Sequence, residues 1–387
     1  LIWSQSPSRV RAPATSANLG PGFDALGLAL GLHDGVEAHL TGGGLAIEVA
    51  GEGEETAAAG ERHLVVRSMR AAFDALGGQP PGIAVRCANA IPHGRGLGSS
   101  AAAICSGLLA ARALVSDGQT RLPDDALFQL AVRLEGHPDN VAACLTGGLT
   151  IAWTPKTPPP NASPTAGQVG QGQAGRGPVV DGTADARLLQ IPVPASLRTV
   201  ACVPPEPLST EEARRVLPTA VPHADAAANA ARSALLAAAL SGAQGGPEVL
   251  LAATEDFLHQ PYRAAVMPET AGLMGRLRRA GLAAVVSGAG PTVLVLSFGS
   301  TPPGEVVDSI ARETGIAWRV IPLDIDRQGA HIQHGGLGVH PPGSARREPS
   351  RHRVQGPGAG QAGGSPLDQL AFSATHRPQP RECRGLS

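Results

Sequence analysis

Apolar positions along the chain switch repeatedly between a period of two and a period near 3.6, and each switch marks a change from strand to helix. Residues 10–12 and 36–40 read as strands, and 83–88 alternates Ile83, Val85 and Cys87 onto one face of a half-buried strand. Residues 64–76 read as a helix, as does the Ala-rich stretch 99–114. In 124–134, Leu127, Leu130 and Leu134 fall at helical spacing, with Asp124 as the N-cap. Further on, 149–153 and 198–203 read as strands, and 225–240 and 247–258 as helices. Two strands at 283–286 and 292–296 flank a Gly-rich turn, and a helix follows at 304–313. This mixed order predicts α+β layers rather than the strict strand–helix repeat of a Rossmann sheet.

Two stretches carry no such pattern. Residues 155–186 run from Pro-Pro-Pro into Gly, Gln, Ala and Thr, and 335–387 are similar with several Arg and Pro. Neither buries enough apolar surface to offset chain entropy, so the first reads as a low-complexity insertion and the second as a disordered tail.

Composition narrows the function. Hydrophobic residues make up 42% of the chain and the net charge is −1, which argues against a nucleic-acid partner, since that needs a basic face. Aromatics reach only 3%, so the core must be built from Ala, Val, Leu and Ile. The five cysteines are scattered without a Cys-x-x-Cys pair, the pattern of reduced thiols rather than a disulfide framework or zinc site. Apolar runs such as 233–240 are too short to span a bilayer, and residues 1–11 lack a basic-then-apolar leader. A cytoplasmic enzyme with no membrane partner fits, and the opening Leu1 reads as an incomplete or misassigned start.

The sharpest chemical feature is Pro92-His93-Gly94-Arg95-Gly96-Leu97-Gly98-Ser99-Ser100-Ala101-Ala102, between a strand and a helix. Glycines at every second position let backbone approach a ligand, and free N–H groups at the helix start attract an anion. Ser99 and Ser100 add hydroxyls suited to phosphate or magnesium, and Arg95 adds a positive charge. The Gly-Lys-Ser/Thr ending of a Walker A loop is absent. Glycine alternation alone also suits a structural turn before a helix.

Pro92 with Gly96–Ala101 resembles the phosphate-binding motif of GHMP kinases, which include galactokinases, homoserine kinases and mevalonate kinases. The string Ala12–Asp24, which holds Asn18 and Asp24, and the string Glu135-Gly136-His137-Pro138-Asp139-Asn140 are similar to those of homoserine kinases within that family. So are 209–218, 222–229 and 260–263, while the turn 287–292, which would also suit a plain hairpin, resembles the Gly-rich loop that approaches the active site from the second domain of GHMP kinases. The resemblance covers about 10–333 apart from the insertion. It implies a two-domain α+β GHMP kinase fold: a ribosomal-protein-S5-domain-2-like ATP-binding domain over 9–190 and a ferredoxin-like domain over 191–334, before the 335–387 tail.

Further implications are ATP and Mg2+ as cofactors and L-homoserine as the small-molecule substrate. The loop from Pro92 to Ala102 would hold the triphosphate, and Ser100 (or Ser99) with Glu135 the metal. Arg214 and Arg263 match positions for the substrate carboxylate, and Asp24 and Asp139 suit its ammonium. Asn18 and Asn140 would orient the reacting hydroxyl, with His137 lining the same pocket. Asn140 stands where other family members carry an aspartate base, which leaves no obvious general base. Family members commonly form homodimers, and no interface signal decides for this chain. A mevalonate-type kinase and a non-catalytic GHMP-fold ligand sensor are the competing readings. The sensor would be expected to lack Ser99, Ser100 or Glu135, all of which are present.

Overall fold

The computed structural model describes residues 1–155, 186–243 and 245–333. The expected insertion, apart from its end residues, and the expected tail lie outside the described residues. Eleven strands are described: β1 (Ser8–Ala17), β2 (Leu26–Thr41), β3 (Gly44–Gly51), β4 (Gly82–Asn89), β5 (Leu149–Trp153), β6 (Arg187–Ile191), β7 (Leu197–Val203), β8 (Ala283–Val286), β9 (Val293–Phe298), β10 (Arg319–Leu323) and β11 (His331–Ile332).

Seven of these form one sheet, in the order β11-β1-β2-β4-β3, with β5 also on β2 and β6 on β5. The 16-residue β2 is its spine, pairing antiparallel with β1, β4 and β5. Only β3 and β4 run parallel in this sheet, joined by the helix Leu64–Leu76. The second sheet is antiparallel, in the order β10-β7-β9-β8. Strand β11 brings the chain back to the first sheet, pairing Val10 with Ile332.

The main core lies between the first sheet and helices Leu64–Leu76, Ser99–Ala113, Asp124–Glu135 and Pro138–Thr146. As the composition predicts, it is largely aliphatic. Helix Ser99–Ala113 is buried almost throughout, and at Gly107 it passes so close to Leu64–Leu76 that a Cβ would press on Val65 O. A second cluster, including Val200, Leu273, Val293 and Val307, packs beneath the second sheet.

Two local expectations are corrected. Asp124 is not the N-cap of its helix: Pro123 holds that place, and the Asp124 carboxylate accepts instead from Arg112 at 2.7 Å. The helix expected over 247–258 stops at Ala253. Beyond it, the Asp256 carboxylate accepts from the backbone N–H groups of Leu258, His259 and Gln260, which fixes a non-helical turn.

Candidate active site

Strand β1 runs into a tight turn in which Asn18, Leu19 and Asp24 take positive φ angles of 67°, 51° and 53°. Asn and Asp tolerate this region, whereas Leu19 is held there by full burial. Asn18 staples the turn: its Oδ1 accepts from Asp24 N at 2.9 Å and its Nδ2 donates to Gly288 O at 2.7 Å. From the other side, buried Asn229 donates to Pro21 O at 2.9 Å.

The glycine loop lies beside this turn. Gly94, Gly96 and Gly98 all have positive φ. A Cβ on Gly96 would overlap Ser287 O and Gly290 O, and one on Gly98 would overlap Thr15 Oγ1. The loop is therefore pressed between β1 and the 287–290 turn, and Thr15 N donates to Leu97 O at 3.0 Å. No side chain caps helix Ser99–Ala113, so its first N–H groups and positive dipole end are left to a ligand.

Ser100 donates to Glu135 Oε2 at 2.6 Å. Burial raises the Glu135 pKa, partly offset by His137 and by the Ser100 hydrogen bond. One turn on, buried Asp139 accepts from His137 Nδ1 at 2.9 Å and from Asn140 N at 2.8 Å. Burial pulls the His137 imidazole down, but its bond to Asp139 and the charges of Asp139 and Glu135 outweigh this, so its pKa lies above the ordinary value. Asn140 Oδ1 accepts from Thr15 Oγ1 at 2.8 Å.

The two arginines arrive from helices of the second half. Arg214 grips Asp24 through both oxygens, at 2.7 and 3.2 Å. Burial would lower its pKa, but Asp24 raises it overall. Arg263 is 1% exposed, and Nε donates to Ala213 O while NH1 donates to Gly288 O and His259 Nδ1. Among the described residues no acceptor meets its Nη2, and the arginine lines the cavity described below. Burial first, and then Arg214, lower the Arg263 pKa to about 10, so it stays charged at neutral pH. His259 is fully buried, and burial lowers its pKa to about 4. It is therefore neutral, accepting at Nδ1 and donating from Nε2 to Gly20 O at 2.8 Å. Phe23 stacks on it with centroids 5.1 Å apart, and both guanidinium groups lie within 6 Å of the Phe23 ring.

A cavity of about 150 Å³ gathers most of these residues. Asn18, the glycines of the loop, Ser99, Ser100, Glu135, His137, Asp139, Asn140, Arg214 and Arg263 all line it. Asp24 reaches it through Arg214 rather than as a lining residue. Arg95 faces away: its guanidinium donates to His93 O at 2.7 Å, Pro204 O at 3.1 Å and Pro205 O. The charge expected beside the phosphates is thus turned toward the second half of the chain.

Across the loop is a second cavity of about 360 Å³, which shares Ser99 and Ser100 with the first. Asp34, His63, Asn89, His93 and Ser106 line it. Among the described residues, His63 Nδ1 and Ser106 Oγ are buried there without a hydrogen-bond partner. The motif strings include His93 but not Asp34, His63, Asn89 or Ser106, because these come from β2, the N-cap of helix Leu64–Leu76, β4 and helix Ser99–Ala113. His259 was equally hidden, although it stands one helical turn before Arg263. A larger cavity of about 1010 Å³, bordered by Arg112, Phe128, Trp153 and Ala186, holds none of the motif residues.

Comparison with known proteins shows the family to which the chain belongs. Residues 63–148 match the GHMP kinases N terminal domain, and 248–317 match the GHMP kinases C terminal model. A homoserine kinase of Streptomyces coelicolor is 50% identical over 324 residues, covering 84% of this chain and 94% of the relative. One from Corynebacterium diphtheriae is 44% identical over 318 residues, covering 82% and 93%. Among solved structures, homoserine kinase from Cytophaga hutchinsonii superposes with a TM-score of 0.67 at 24% identity, covering 86% of this chain and all of that one. A mevalonate kinase superposes at 0.54 with 12% identity, covering 83% and 99%, which shows shared fold alone. Both halves of the family fold are present in order, and half of 324 aligned residues match a relative over 94% of its length: the chain belongs to the homoserine kinases of the GHMP kinase family.

Proposed function

We propose that this chain transfers the γ-phosphoryl group of ATP to the hydroxyl of L-homoserine, giving O-phospho-L-homoserine for threonine biosynthesis. The observation that carries this is the small cavity where an anion-seeking helix start meets two arginines, a buried aspartate and the Ser100–Glu135 pair. The glycine loop and the Ser99 end of the helix hold the triphosphate through backbone N–H groups. The adjoining 360 Å³ cavity takes the nucleoside, with His63 and Ser106 supplying polar contacts.

Ser100 and Glu135 suit Mg2+, which prefers hard oxygen donors and commonly binds one or two protein groups plus phosphate oxygens and water. Bound there, the ion would neutralise phosphate charge; Glu135, desolvated and, among the described residues, hydrogen-bonded only to a hydroxyl, is ready to exchange that bond for a cation.

Arg263 and Arg214 receive the substrate carboxylate, Asp24 holding Arg214 through both oxygens, and Asp139 attracts the ammonium. Asn18 is occupied in holding the turn, so its role is to shape the pocket. Asn140 has its Oδ1 engaged by Thr15, which leaves its amide N–H groups to orient the acceptor hydroxyl oxygen. An N–H donor takes no proton. The hydroxyl therefore attacks directly and loses its proton late, to a phosphate oxygen or water, as a loose transition state allows.

A coupled ADP-release assay with L-homoserine tests the activity, repeated with Glu135→Gln. Faster ADP release with mevalonate than with homoserine, or nucleotide binding without turnover, would overturn the assignment. An Asp139→Asn variant that keeps substrate affinity but loses several orders of magnitude in turnover would overturn the step without a base.

A further inference from the structure

The glycine loop has two sides. One lines the small cavity with Gly94, Gly96 and Gly98. The other is fastened to the second half of the chain. Arg95 Nε and NH2 donate to the carbonyls of Pro204 and Pro205. Leu208 N donates to Gly94 O at 2.9 Å, and Thr292 N to Arg95 O at 3.3 Å. Ser287 Oγ donates to Gly96 O at 2.6 Å.

The segment that Arg95 holds is short and directed. Strand β7 ends at Val203, and Ser209 caps the helix Thr210–Arg215 by accepting from Glu212 N at 3.1 Å. Residues 204–208 are thus the whole link between a buried strand and the helix that carries Arg214. Pro204 and Pro205 have no N–H, so at these two residues the carbonyls are the only backbone groups that can be tied down, and Leu208 N adds a further tie. A planar guanidinium donates to two successive carbonyls at once, which an ammonium on a flexible stem does less well. Its third bond, to His93 O, keeps the fork locked to the loop.

We propose that Arg95 is a positioning residue for the acceptor site, rather than a phosphate ligand, and that it couples the nucleotide loop to the placement of Arg214. Nucleotide phosphates that fix the loop also fix residues 204–208, and through them the start of the Arg214 helix. By linkage, the acceptor tightens nucleotide binding by the same factor. The inference rests on the reading of this loop as the triphosphate site and of Arg214 as part of the acceptor site.

The test is calorimetric and kinetic, on the full chain. Binding of a non-hydrolysable ATP analogue with Mg2+ is measured with and without saturating L-homoserine, for the unaltered chain, Arg95→Met and Arg95→Lys, each checked for folding by thermal melting. In the unaltered chain homoserine should tighten analogue binding on the order of tenfold. Arg95→Met, which keeps the aliphatic stem, should bind the analogue alone about as well as the unaltered chain, lose that tightening, and show a homoserine KM raised on the order of tenfold. Arg95→Lys should recover part of both effects. A large loss of analogue affinity without homoserine, at unchanged homoserine KM, would place Arg95 on the phosphates and overturn the proposal. So would undiminished tightening in Arg95→Met, or its absence in the unaltered chain. If Arg95→Met fails to fold, Arg95→Lys decides by the same two readouts. Failure of the unaltered chain to phosphorylate homoserine at all would instead overturn the functional reading beneath it.

Discussion

Asp34 offers a quantitative test of how the wall of the nucleoside-sized cavity is built. Its Oδ1 accepts from Ala90 N at 2.7 Å and Ile91 N at 2.9 Å, so it fixes the chain just before the glycine loop. The residue is 5% exposed, and burial raises its pKa from 3.8 to about 6, against the two backbone hydrogen bonds, with a smaller push from Glu52. A carboxylate whose folded pKa is raised binds more protons folded than unfolded, so its ionisation costs stability as pH rises through that window. Asp34→Asn keeps the acceptor oxygen and removes the charge. Its advantage over Asp34 should be near zero below the unfolded pKa, about half developed at pH 5, and about 3 kcal/mol by pH 7. Urea unfolding of both proteins between pH 5 and pH 8 reads this directly, as a widening gap in midpoint on the alkaline side. A gap that stays constant over that range, or an Asn variant less stable at pH 7, would refute the reasoning.

Glu135→Gln should lower turnover by about 10²–10³-fold while nucleotide still binds, because the carboxylate that would hold the charge-neutralising Mg2+ is lost; steady-state rates over a magnesium titration check this. His259→Ala leaves Arg263 NH1 one acceptor short in a buried site, a cost of about 1–3 kcal/mol. The homoserine KM should therefore rise more than the ATP KM, as two-substrate kinetics would show. Gly96→Ala meets a positive φ and the carbonyls of Ser287 and Gly290, so the loop must part from its neighbours. Nucleotide affinity measured by calorimetry should fall at least tenfold, along with a lower melting temperature, since backbone strain of this kind costs about 1–3 kcal/mol.

Where local chemistry decides the outcome, the sequence was legible. Helix Leu64–Leu76 is amphipathic and ends on Gly77 in the left-handed region, and its pattern was read at both ends. Strand β3 was not read, because its Gly-rich, half-exposed alternation gains meaning only from parallel pairing with β4 across an intervening helix. Nor was helix Pro268–Arg279, whose Arg-rich last turn leaves a sparse apolar stripe at Leu273 and Leu277. In the site, contiguous strings carried Ser100, Glu135 and Asp139, since each belongs to one turn or helix end. The partners of those residues come from elsewhere. Thr15 meets Asn140 across 125 positions, and Arg214 meets Asp24 across 190. No window of sequence could pair them. Arg95 is the plainest case: its charge suggested phosphate, whereas two prolines 109 and 110 positions away present the carbonyls it holds.

Strand β11 has a consequence for how the molecule is made. It covers the outer edge of β1 at Val10 and Arg11, with Gln333 N donating to Arg9 O at 2.8 Å, while Ile325 bridges Leu30 and His33 contacts Asp326 at 2.6 Å. The opening strand thus waits for residues at the far end of the described chain before its outer edge is covered. During synthesis that edge stays open for as long as the ribosome takes to emit both halves, exposing a strand that can pair with another nascent copy. Contacts so distant in sequence also delay the final step of refolding. The outer edge of β1 around Val10 and Arg11 should therefore be the last part of the first sheet to gain amide-exchange protection, although it precedes the other strands of that sheet in sequence.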